Sequence, residues 1–524
     1  MKRPNLVFLI ADDHRFDGIG AYGNPDVRTP VLDRLAAQGA LFQSMYIMGG
    51  QTAALCVPSR ACLLTGVQPF RATGSGMRSI GLAETENREL WNLDPALPTF
   101  PETLRESGYR TCGIGKWHNG KASFARSFTD GAAIFFGGMG DHVGLPVHGY
   151  DSTGEYSDEA AEVSETYSTE LFADAAVDWI RSYQGEEPYL LYVAFTAPHD
   201  PRTPPPAYAA MYRADNLPLP SNYAERHPFD NGELDVRDEL LAPLPRTPES
   251  IRAELADYYG MISHLDAQIG RIVEAIAERD GGGGGEGNDG GIGAGEAVAE
   301  REGEGGEGDG GAGVGEAGAG ADDGASGAGE AVSACADSGD DAGAGRETFV
   351  VYTADHGLAL GQHGLLGKQN LYEHSIHTPL VVAGPGLPRG AVVEELACQL
   401  DIMPTVCELA GVPLPKTAEG RSLVPLMRSE AGYGGREYVF AAYKDLQRMA
   451  SDGRWKLIRY FRSAASGSGT DTVQLFDLHR DPWETINLVS APERQAERAR
   501  LEQALRGWQL HIGDPLVKAA LAAE

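Results

Sequence analysis

The chain of 524 residues is long enough for several domains, and its hydrophobic content of 42% is ordinary for a globular protein. Its net charge of −32 at pH 7 argues against nucleic acid and anionic membranes as partners. An N-terminal apolar run too short for a signal peptide, and six cysteines without disulfide or metal spacing, favour a cytoplasmic protein with reduced thiols. Export of the folded chain is the alternative.

Buried strands and amphipathic helices alternate along the first 435 residues. The segment after Thr247 has apolar residues at steps of three and four, whereas the segment ending at Phe195 is almost wholly apolar, as in a parallel sheet covered on both faces. Thr29 and Thr99 are predicted helix caps. The alternation predicts an α/β fold with a large, mostly parallel mixed sheet sandwiched by helices. Predicted strands cover 5–10, 110–115, 189–195 and 349–353, and predicted helices cover 30–37, 99–108, 169–183 and a long segment from 248.

Two stretches depart from this alternation. Residues 281–345 hold 15 acidic residues, one arginine and almost no large apolar side chains, so we predict a disordered acidic loop, with a functional acidic tether as the alternative. Beyond residue 435 the predicted strands are short and closely spaced, which indicates a smaller C-terminal antiparallel sheet subdomain with a final helix. The predicted domains are therefore 1–435 and 436–524. The C-terminal strands are predicted at 438–443, 448–451, 455–460 and 473–476, and the helix at 492–511.

Polar side chains recur where the predicted strands end, at the sheet edge where α/β folds bind ligands. They are Asp12, Asp13, Lys116, His118, His199, Asp355 and His356. Three carboxylates held together would raise one another's pKa unless a cation neutralised them, and oxygen ligands suit calcium or magnesium. A solvated turn is the alternative for each motif taken alone. Taken together, the motifs predict a metal site with basic groups around it.

Residues 56–66 read Cys-Val-Pro-Ser-Arg-Ala-Cys-Leu-Leu-Thr-Gly. Because Pro58 suits a first helical turn, we expect Cys56 just ahead of a helix, where backbone N–H groups favour an anion. Arg60 lies one helical turn further and returns toward Cys56. A buried thiol beside a surface arginine is the alternative. Lys368, in Gly-Lys-Gln-Asn-Leu-Tyr-Glu, is another candidate cation, with a solvated surface lysine as its alternative.

The spacing Cys-x-Pro-Ser-Arg-x-x-x-x-Thr-Gly resembles the signature of type I sulfatases, a family of the alkaline phosphatase superfamily. The other motifs occur in the order seen in that family. The Asp355-His356 pair, in place of the commoner Asp-Asn, is similar to iduronate-2-sulfatase and to many bacterial glycan sulfatases. The 281–345 insert departs from the family, which has a short turn there, and we expect it to extrude from the surface.

The resemblance implies an alkaline phosphatase-like fold and hydrolysis of a sulfate ester. It further implies that a maturation enzyme oxidises Cys56 to formylglycine, whose hydrate attacks sulfur. His199 would protonate the leaving oxygen, Lys368 would bind the sulfate, and His118 would take the proton that expels sulfate. Arg60 and Lys116 would steady the nucleophile and the metal ligands. Calcium, with magnesium less favoured, would be held by Asp12, Asp13, modified Cys56, Asp355 and His356.

A sulfated small molecule or glycan, foremost a carbohydrate sulfate, is therefore the expected substrate. A phosphonate monoester or phosphodiester hydrolase is one alternative, and a non-catalytic binder of sulfated glycans is another if Cys56 stays unoxidised. Segments 135–150, 200–248 and 369–377 are expected to shape the pocket, with His142 and Arg202 as side chains that set specificity. Structural or surface positions are expected for His264, His363, His374 and His377.

Overall fold

The computed structural model describes residues 2–73, 92–281 and 346–517, so the predicted loop 281–345 lies outside them apart from Gly281. The strands are β1 (Asn5–Ala11), β2 (Ala40–Phe42), β3 (Met45–Tyr46), β4 (Gly49–Gly50), β5 (Arg110–Lys116), β6 (Asp130–Phe135), β7 (Leu145–Val147), β8 (Glu162–Ser164), β9 (Tyr189–Ala194), β10 (Thr348–Ala354), β11 (His377–Thr378), β12 (Leu380–Ala383), β13 (Ala391–Val393), β14 (Ala397–Cys398), β15 (Val439–Tyr443), β16 (Gln447–Ser451), β17 (Trp455–Tyr460) and β18 (Thr472–Asp477). The helices are α1 (Pro30–Gln38), α2 (Cys56–Thr65), α3 (Pro69–Ala72), α4 (Phe100–Glu106), α5 (Lys121–Ser127), α6 (Ser168–Ser182), α7 (Pro206–Ala209), α8 (Pro248–Gly281), α9 (Glu373–Ile376), α10 (Ile402–Ala410), α11 (Val424–Met427) and α12 (Gln495–Ile512).

An eight-stranded sheet forms the centre of the molecule, in the order β13-β2-β12-β10-β1-β9-β5-β6. Among its described strand pairs, β12 alone runs antiparallel to its neighbours. Ala11 of β1 lies opposite Ala354 of β10, and Ile10 lies opposite Ala194 of β9. The residues that follow these strands therefore leave the sheet at one edge. The predicted mostly parallel α/β sheet is confirmed.

Helices cover both faces of this sheet because its central strands are apolar on both sides. Phe8 of β1 belongs to a core shared with α2, α4 and α10. Val7 and Leu9 point to the opposite core, shared with α1, α6 and α8. Within the described ranges, no helix combines the length and the apolar character needed to span a membrane.

Two predicted helix starts need correction. Thr29 does not cap α1, because its hydroxyl bonds Asp33. The carboxylate of Asp266 on α8 instead accepts the N–H groups of Val31 (3.0 Å) and Leu32 (2.8 Å), a contact that spacing along the chain cannot reveal. Helix α2 begins at Cys56 itself rather than after it. The capping box predicted at Thr99 is present.

The C-terminal strands form a second, smaller sheet, in the order β18-β17-β16-β15-β4. Its four C-terminal strands are antiparallel, as predicted, and β4 from the N-terminal half adds a parallel edge. Helix α12 packs on this sheet through Leu501 and Leu505, and it begins after a short 3-10 turn at Pro492–Arg494. The boundary at residue 435 stays a prediction, since the second sheet recruits residues 49–50.

Candidate active site

The carboxyl ends of the central strands bring the predicted polar motifs together. The Asp13 N–H donates to Asp355 Oδ1 at 3.1 Å, which joins the ends of β1 and β10. The N–H of Asp12 donates to the carbonyl of Ala197, two residues before His199, at 3.2 Å. Motifs separated by more than 300 residues in the sequence therefore share one buried edge.

Gly115 explains how Lys116 reaches this edge. A β-bulge lies between Ile114 and Gly115 where β5 pairs with β6. Gly115 has φ +83°, and an added Cβ would lie 2.1 Å from the carbonyl oxygen of Ala194 on the neighbouring strand. Glycine is therefore required for this close approach. Beyond it, the fully buried Lys116 ammonium donates to Asp12.

The Cys56 thiol lies at the first residue of α2, 2% exposed, among basic side chains. Lys368 Nζ is 4.0 Å from Cys56 Sγ. Burial alone would raise the pKa of the thiol, but Lys116 and Lys368 and hydrogen bonds from His118 and His356 hold it well below its usual value. The site therefore favours a negatively charged or strongly polarised group at this position.

A cluster of potential metal ligands surrounds this position. Ligand atoms of Asp12, Cys56, Asp355 and His356 lie within 4.8 Å of one another, and all four residues are buried. Burial and the nearby Asp355 carboxylate raise the pKa of Asp12 well above its usual value. Asp12 Oδ1 has no hydrogen-bond partner among the described residues. A hard divalent cation fits this oxygen-rich set, because it would coordinate that oxygen and relieve the repulsion between carboxylates.

Asp13 lies beside this cluster and connects it to two basic groups. Its Oδ1 accepts from Lys368 Nζ at 2.9 Å and lies 3.1 Å from His356 Nδ1. Lys368 Nζ also lies 3.0 Å from His199 Nε2. Burial would lower the pKa of Lys368, but Asp13 and Cys56 raise it well above its usual value. Lys368 is 3% exposed, so the solvated-lysine alternative is wrong.

Comparison with known families decides the identity of the chain. A family model described as Sulfatase matches residues 4–281, more than half of the sequence. The chain belongs to the sulfatase family. A second model, N-sulphoglucosamine sulphohydrolase, C-terminal, matches residues 361–510. The resemblance to type I sulfatases is confirmed, and with it the prediction of a sulfuric ester hydrolase.

Known relatives resemble this sulfatase over nearly its whole length. An arylsulfatase of Clostridium perfringens is 24% identical over 94% of this chain and 91% of its own. An N-acetylglucosamine-6-O-sulfatase of Bacteroides thetaiotaomicron is 25% identical over 98% and 87%. Among solved structures, one in complex with its substrate D-glucosamine-2-N,6-O-disulfate superposes with a TM-score of 0.68, 20% identity and coverage of 98% and 99%. The phosphonate monoester hydrolase of Agrobacterium radiobacter shares the fold as well, with a TM-score of 0.65, 20% identity and coverage of 97% and 96%.

Several residues that support the site of this sulfatase were not predicted. Ser59 Oγ donates to the carbonyl oxygen of Asp355 and lies 2.8 Å from Gln399 Oε1. Asn119 Nδ2 donates to the carbonyl of Val57 at 3.0 Å, which anchors the start of α2. Asp200 is 5% exposed and pairs with an arginine of the following loop. Ser59 and Asp200 adjoin predicted residues, so proximity in sequence could have revealed them, whereas Gln399 carries no local signal.

The two side chains predicted to set specificity are buried. His142 is 2% exposed, and its ring lies 3.0 Å from the carbonyl oxygen of His199 and 2.9 Å from Ser168 Oγ. The side chain of Arg202 is 4% exposed and pairs with Glu254. Both therefore support loops of the site instead of facing open solvent. The histidines predicted to be structural, His264, His363, His374 and His377, all contact aromatic rings.

Proposed function

We propose that this sulfatase hydrolyses a sulfate ester of a carbohydrate, with residue 56 in its formylglycine form. The observation that carries the proposal is the surroundings of Cys56, where a buried thiol meets two ammonium groups and two imidazoles beside a carboxylate cluster. Such a set stabilises an oxyanion and a transferring sulfuryl group. The carbohydrate class is supported by two similar proteins: one is named an N-acetylglucosamine-6-O-sulfatase, and the structure of the other is in complex with its substrate D-glucosamine-2-N,6-O-disulfate.

Calcium is the proposed metal. Asp12, Asp13, Asp355 and His356 would hold it together with the side chain of residue 56, and it would supply charge that lowers the pKa of a bound hydroxyl. Oxidation of Cys56 by a formylglycine-generating maturation enzyme would supply an aldehyde, whose hydrate is the nucleophile toward sulfur. Carboxylate donors outnumber nitrogen donors in this set, which favours calcium over softer metals.

The side chains of this chain then take distinct roles. Lys368 binds the sulfate. His199 Nδ1 donates to the Asp200 carbonyl at 2.8 Å, and Nε2 lies 3.0 Å from Lys368 Nζ, so His199 would have to gain a second proton, at Nε2, before it could donate one to the leaving oxygen. His118 is hydrogen-bonded to residue 56 and would remove a proton from it, and loss of that proton releases sulfate. Arg60 holds Asp355 through a 2.9 Å bond, and Lys116 holds Asp12. Both keep the carboxylates in place.

Turnover of matched esters tests the reaction class. We expect the matured enzyme to hydrolyse 6-O-sulfated N-acetylglucosamine and aryl sulfates in preference to aryl phosphonates and aryl phosphodiesters. A strong preference for the phosphorus esters would instead identify a phosphonate monoester or phosphodiester hydrolase. Mass spectrometry of the peptide containing residue 56 adds a second arm. An unmodified thiol in protein from the native host, with binding of sulfated glycan but no turnover, would favour a non-catalytic binder.

A further inference from the structure

A single 3-10 turn contacts the chain beside both His199 and Lys368. It spans Arg237–Leu241, within the long loop that precedes α8, and we call it the 237–241 turn. Three consecutive side chains at its start make these contacts. They reach two segments that are more than 160 residues apart in sequence yet meet at the active site.

Arg237 supports His199 through the neighbouring Asp200. The guanidinium of Arg237 pairs with the Asp200 carboxylate, with Nη1 3.3 Å from Oδ1. Asp200 Oδ1 in turn lies 3.3 Å from His199 Nδ1. Asp200 is buried, so its carboxylate has little contact with water. The ion pair with Arg237 therefore determines how this carboxylate is oriented. The Arg237 side chain itself is 46% exposed.

Asp238 and Glu239 support the segment around Lys368. Glu239 accepts the N–H groups of Leu366 at 3.0 Å and Gly367 at 2.8 Å, directly before Lys368. Asp238 Oδ2 accepts from Gln369 Nε2 at 2.7 Å, directly after it. The turn therefore bonds the backbone directly before Lys368 and the Gln369 side chain directly after it.

Buried Arg246 holds the 237–241 turn in its conformation. Arg246 is 1% exposed and donates to Glu239 Oε2 at 2.8 Å and to the Glu239 carbonyl at 2.6 Å. It also donates to the carbonyl of Ala242. Burial raises the pKa of Glu239, and Arg246 opposes that shift while its hydrogen bonds hold the carboxylate toward the two N–H groups.

We propose that the 237–241 turn is a positioning element that holds His199 and Lys368 in their mutual geometry, 3.0 Å apart. The proposal rests on the proposed function, in which His199 protonates the leaving oxygen and Lys368 binds sulfate. Arg237 and Glu239 are positioning residues that act through Asp200 and through the backbone of Leu366 and Gly367. A shift of roughly 1 Å in a catalytic group costs about 100-fold in rate, so the effect is measurable.

Leaving-group dependence tests the role of Arg237. A sugar hydroxyl is a poor leaving group that needs a proton, whereas 4-nitrophenolate leaves unaided. We expect Arg237→Gln to lower kcat about 10- to 100-fold on a sugar 6-sulfate and only a few-fold on 4-nitrophenyl sulfate. Arg237→Lys should recover part of the loss, and Arg506→Gln, at an exposed arginine of α12 away from these segments, should change neither rate. Equal losses on both substrates, or no loss, would overturn the role of Arg237.

Glu239→Gln tests the other arm of the turn. Lys368 contacts the sulfate, which both substrates share, so kcat/KM should fall by about 10-fold or more on both. Inhibition by inorganic sulfate should weaken in parallel. The matched control is Glu408→Gln, at an exposed acid of α10 outside the pocket segments, which should leave both values unchanged. Unchanged sulfate inhibition in a folded Glu239→Gln protein contradicts this arm.

A double variant separates this proposal from the proposed function. If Arg237 acts through His199, the protein carrying Arg237→Gln and His199→Gln should be no slower on a sugar sulfate than His199→Gln alone. If the fold-losses in rate of the two single variants multiply in the double variant, the turn does not act through His199. If His199→Gln loses the same factor on both substrates, its role as acid fails, and the double variant still decides whether the turn acts through it.

Discussion

Cys56 is the residue on which the site depends most. It combines full burial with basic neighbours contributed by three separate parts of the chain: Lys116 and His118 from the end of β5, His356 after β10 and Lys368. Burial raises the pKa of a structural cysteine such as Cys62, which stays an uncharged thiol and needs no basic neighbours. The basic neighbours of Cys56 therefore point to a different role for this side chain. The surroundings suit a side chain that carries an oxyanion during turnover.

Metal removal tests the carboxylate cluster at this scale. We expect a calcium chelator to abolish turnover and lower the thermal unfolding midpoint, because buried Asp12 and Asp355 would lose the charge that balances them. Added calcium at 100 times its Kd should stabilise the fold by about 2.7 kcal/mol. Calcium should restore activity better than magnesium. In Asp12→Ala, calcium should no longer raise the midpoint, and an unchanged calcium response there would disprove this ligand set.

Strand β5 shows how one glycine allows the close strand packing that precedes a buried lysine of the site. Its pairing register with β6 shifts at Gly115, where Ala133 of β6 is the extra residue, and the next residue of β5, Lys116, donates to Asp12. The close contact with the Ala194 carbonyl leaves no room for a side chain. This element therefore couples sheet geometry directly to the charge balance of the site.

We expect Gly115→Ala to destabilise the protein by roughly 1–3 kcal/mol or more and to lower kcat/KM, because both the positive φ and the clash with Ala194 oppose a Cβ. Gly108→Ala is the matched control. Gly108 has φ +92° with nothing near an added Cβ, so it reports backbone strain alone. Thermal unfolding and turnover of both variants measure the difference. Equal stability loss in the two variants would show that the Ala194 contact does not matter.

At the scale of the whole molecule, a buried ionic group joins the C-terminal sheet to the segment after Lys368. Lys456 of β17 is fully buried and lies 2.8 Å from Glu373 Oε1 and 2.7 Å from Glu484 Oε1. One ammonium thus faces two carboxylates. Burial and Glu373 raise the pKa of Glu484 to about 7, despite the opposing effect of Lys456.

This excess charge predicts a pH-dependent stability. Because the folded pKa of Glu484 lies above its unfolded value, the native state binds the proton more tightly. Its contribution is present below about pH 4 and is lost as pH rises toward 7, at about 1.4 kcal/mol per pH unit. Glu484→Gln should therefore gain stability relative to wild type between pH 5 and pH 8, as measured by thermal unfolding. Glu502→Gln, at a surface pair of α12, is the control, and a pH-independent difference for Glu484→Gln would contradict the account.

How far the sequence reveals the molecule depends on the range of the interactions. Asp12 and Asp355 were predictable because each follows an apolar strand, and parallel strands end at one edge. Two other contacts were not predictable: that of Asp266 with the start of α1, and that of Glu239 with Gly367. Each joins segments more than 100 residues apart, and no local pattern marks the partner. Asp12, Asp13 and Asp355 do lie together at the ends of their strands, whereas the loop that contacts the chain around them carries no motif.

The acidic insert offers a test of how independent the folded part is. Asp280 at the end of α8 accepts a 2.7 Å hydrogen bond from Thr348 at the start of β10, so the two points from which the insert leaves lie side by side. A short glycine linker can therefore replace residues 282–345 at little entropic cost. We expect kcat/KM on a sulfated sugar to stay within about twofold of wild type. A large loss of activity in a stable deletion protein would assign the insert a functional role.

The central claim is that residue 56 acts as formylglycine. The most direct measurement pairs mass spectrometry of the peptide containing residue 56 with turnover of the same preparations, with and without coexpressed formylglycine-generating enzyme. We expect turnover to rise in proportion to the oxidised fraction, and Cys56→Ala to keep its thermal unfolding midpoint while losing turnover. Turnover that is independent of the oxidised fraction, or retained by Cys56→Ala, would contradict the claim.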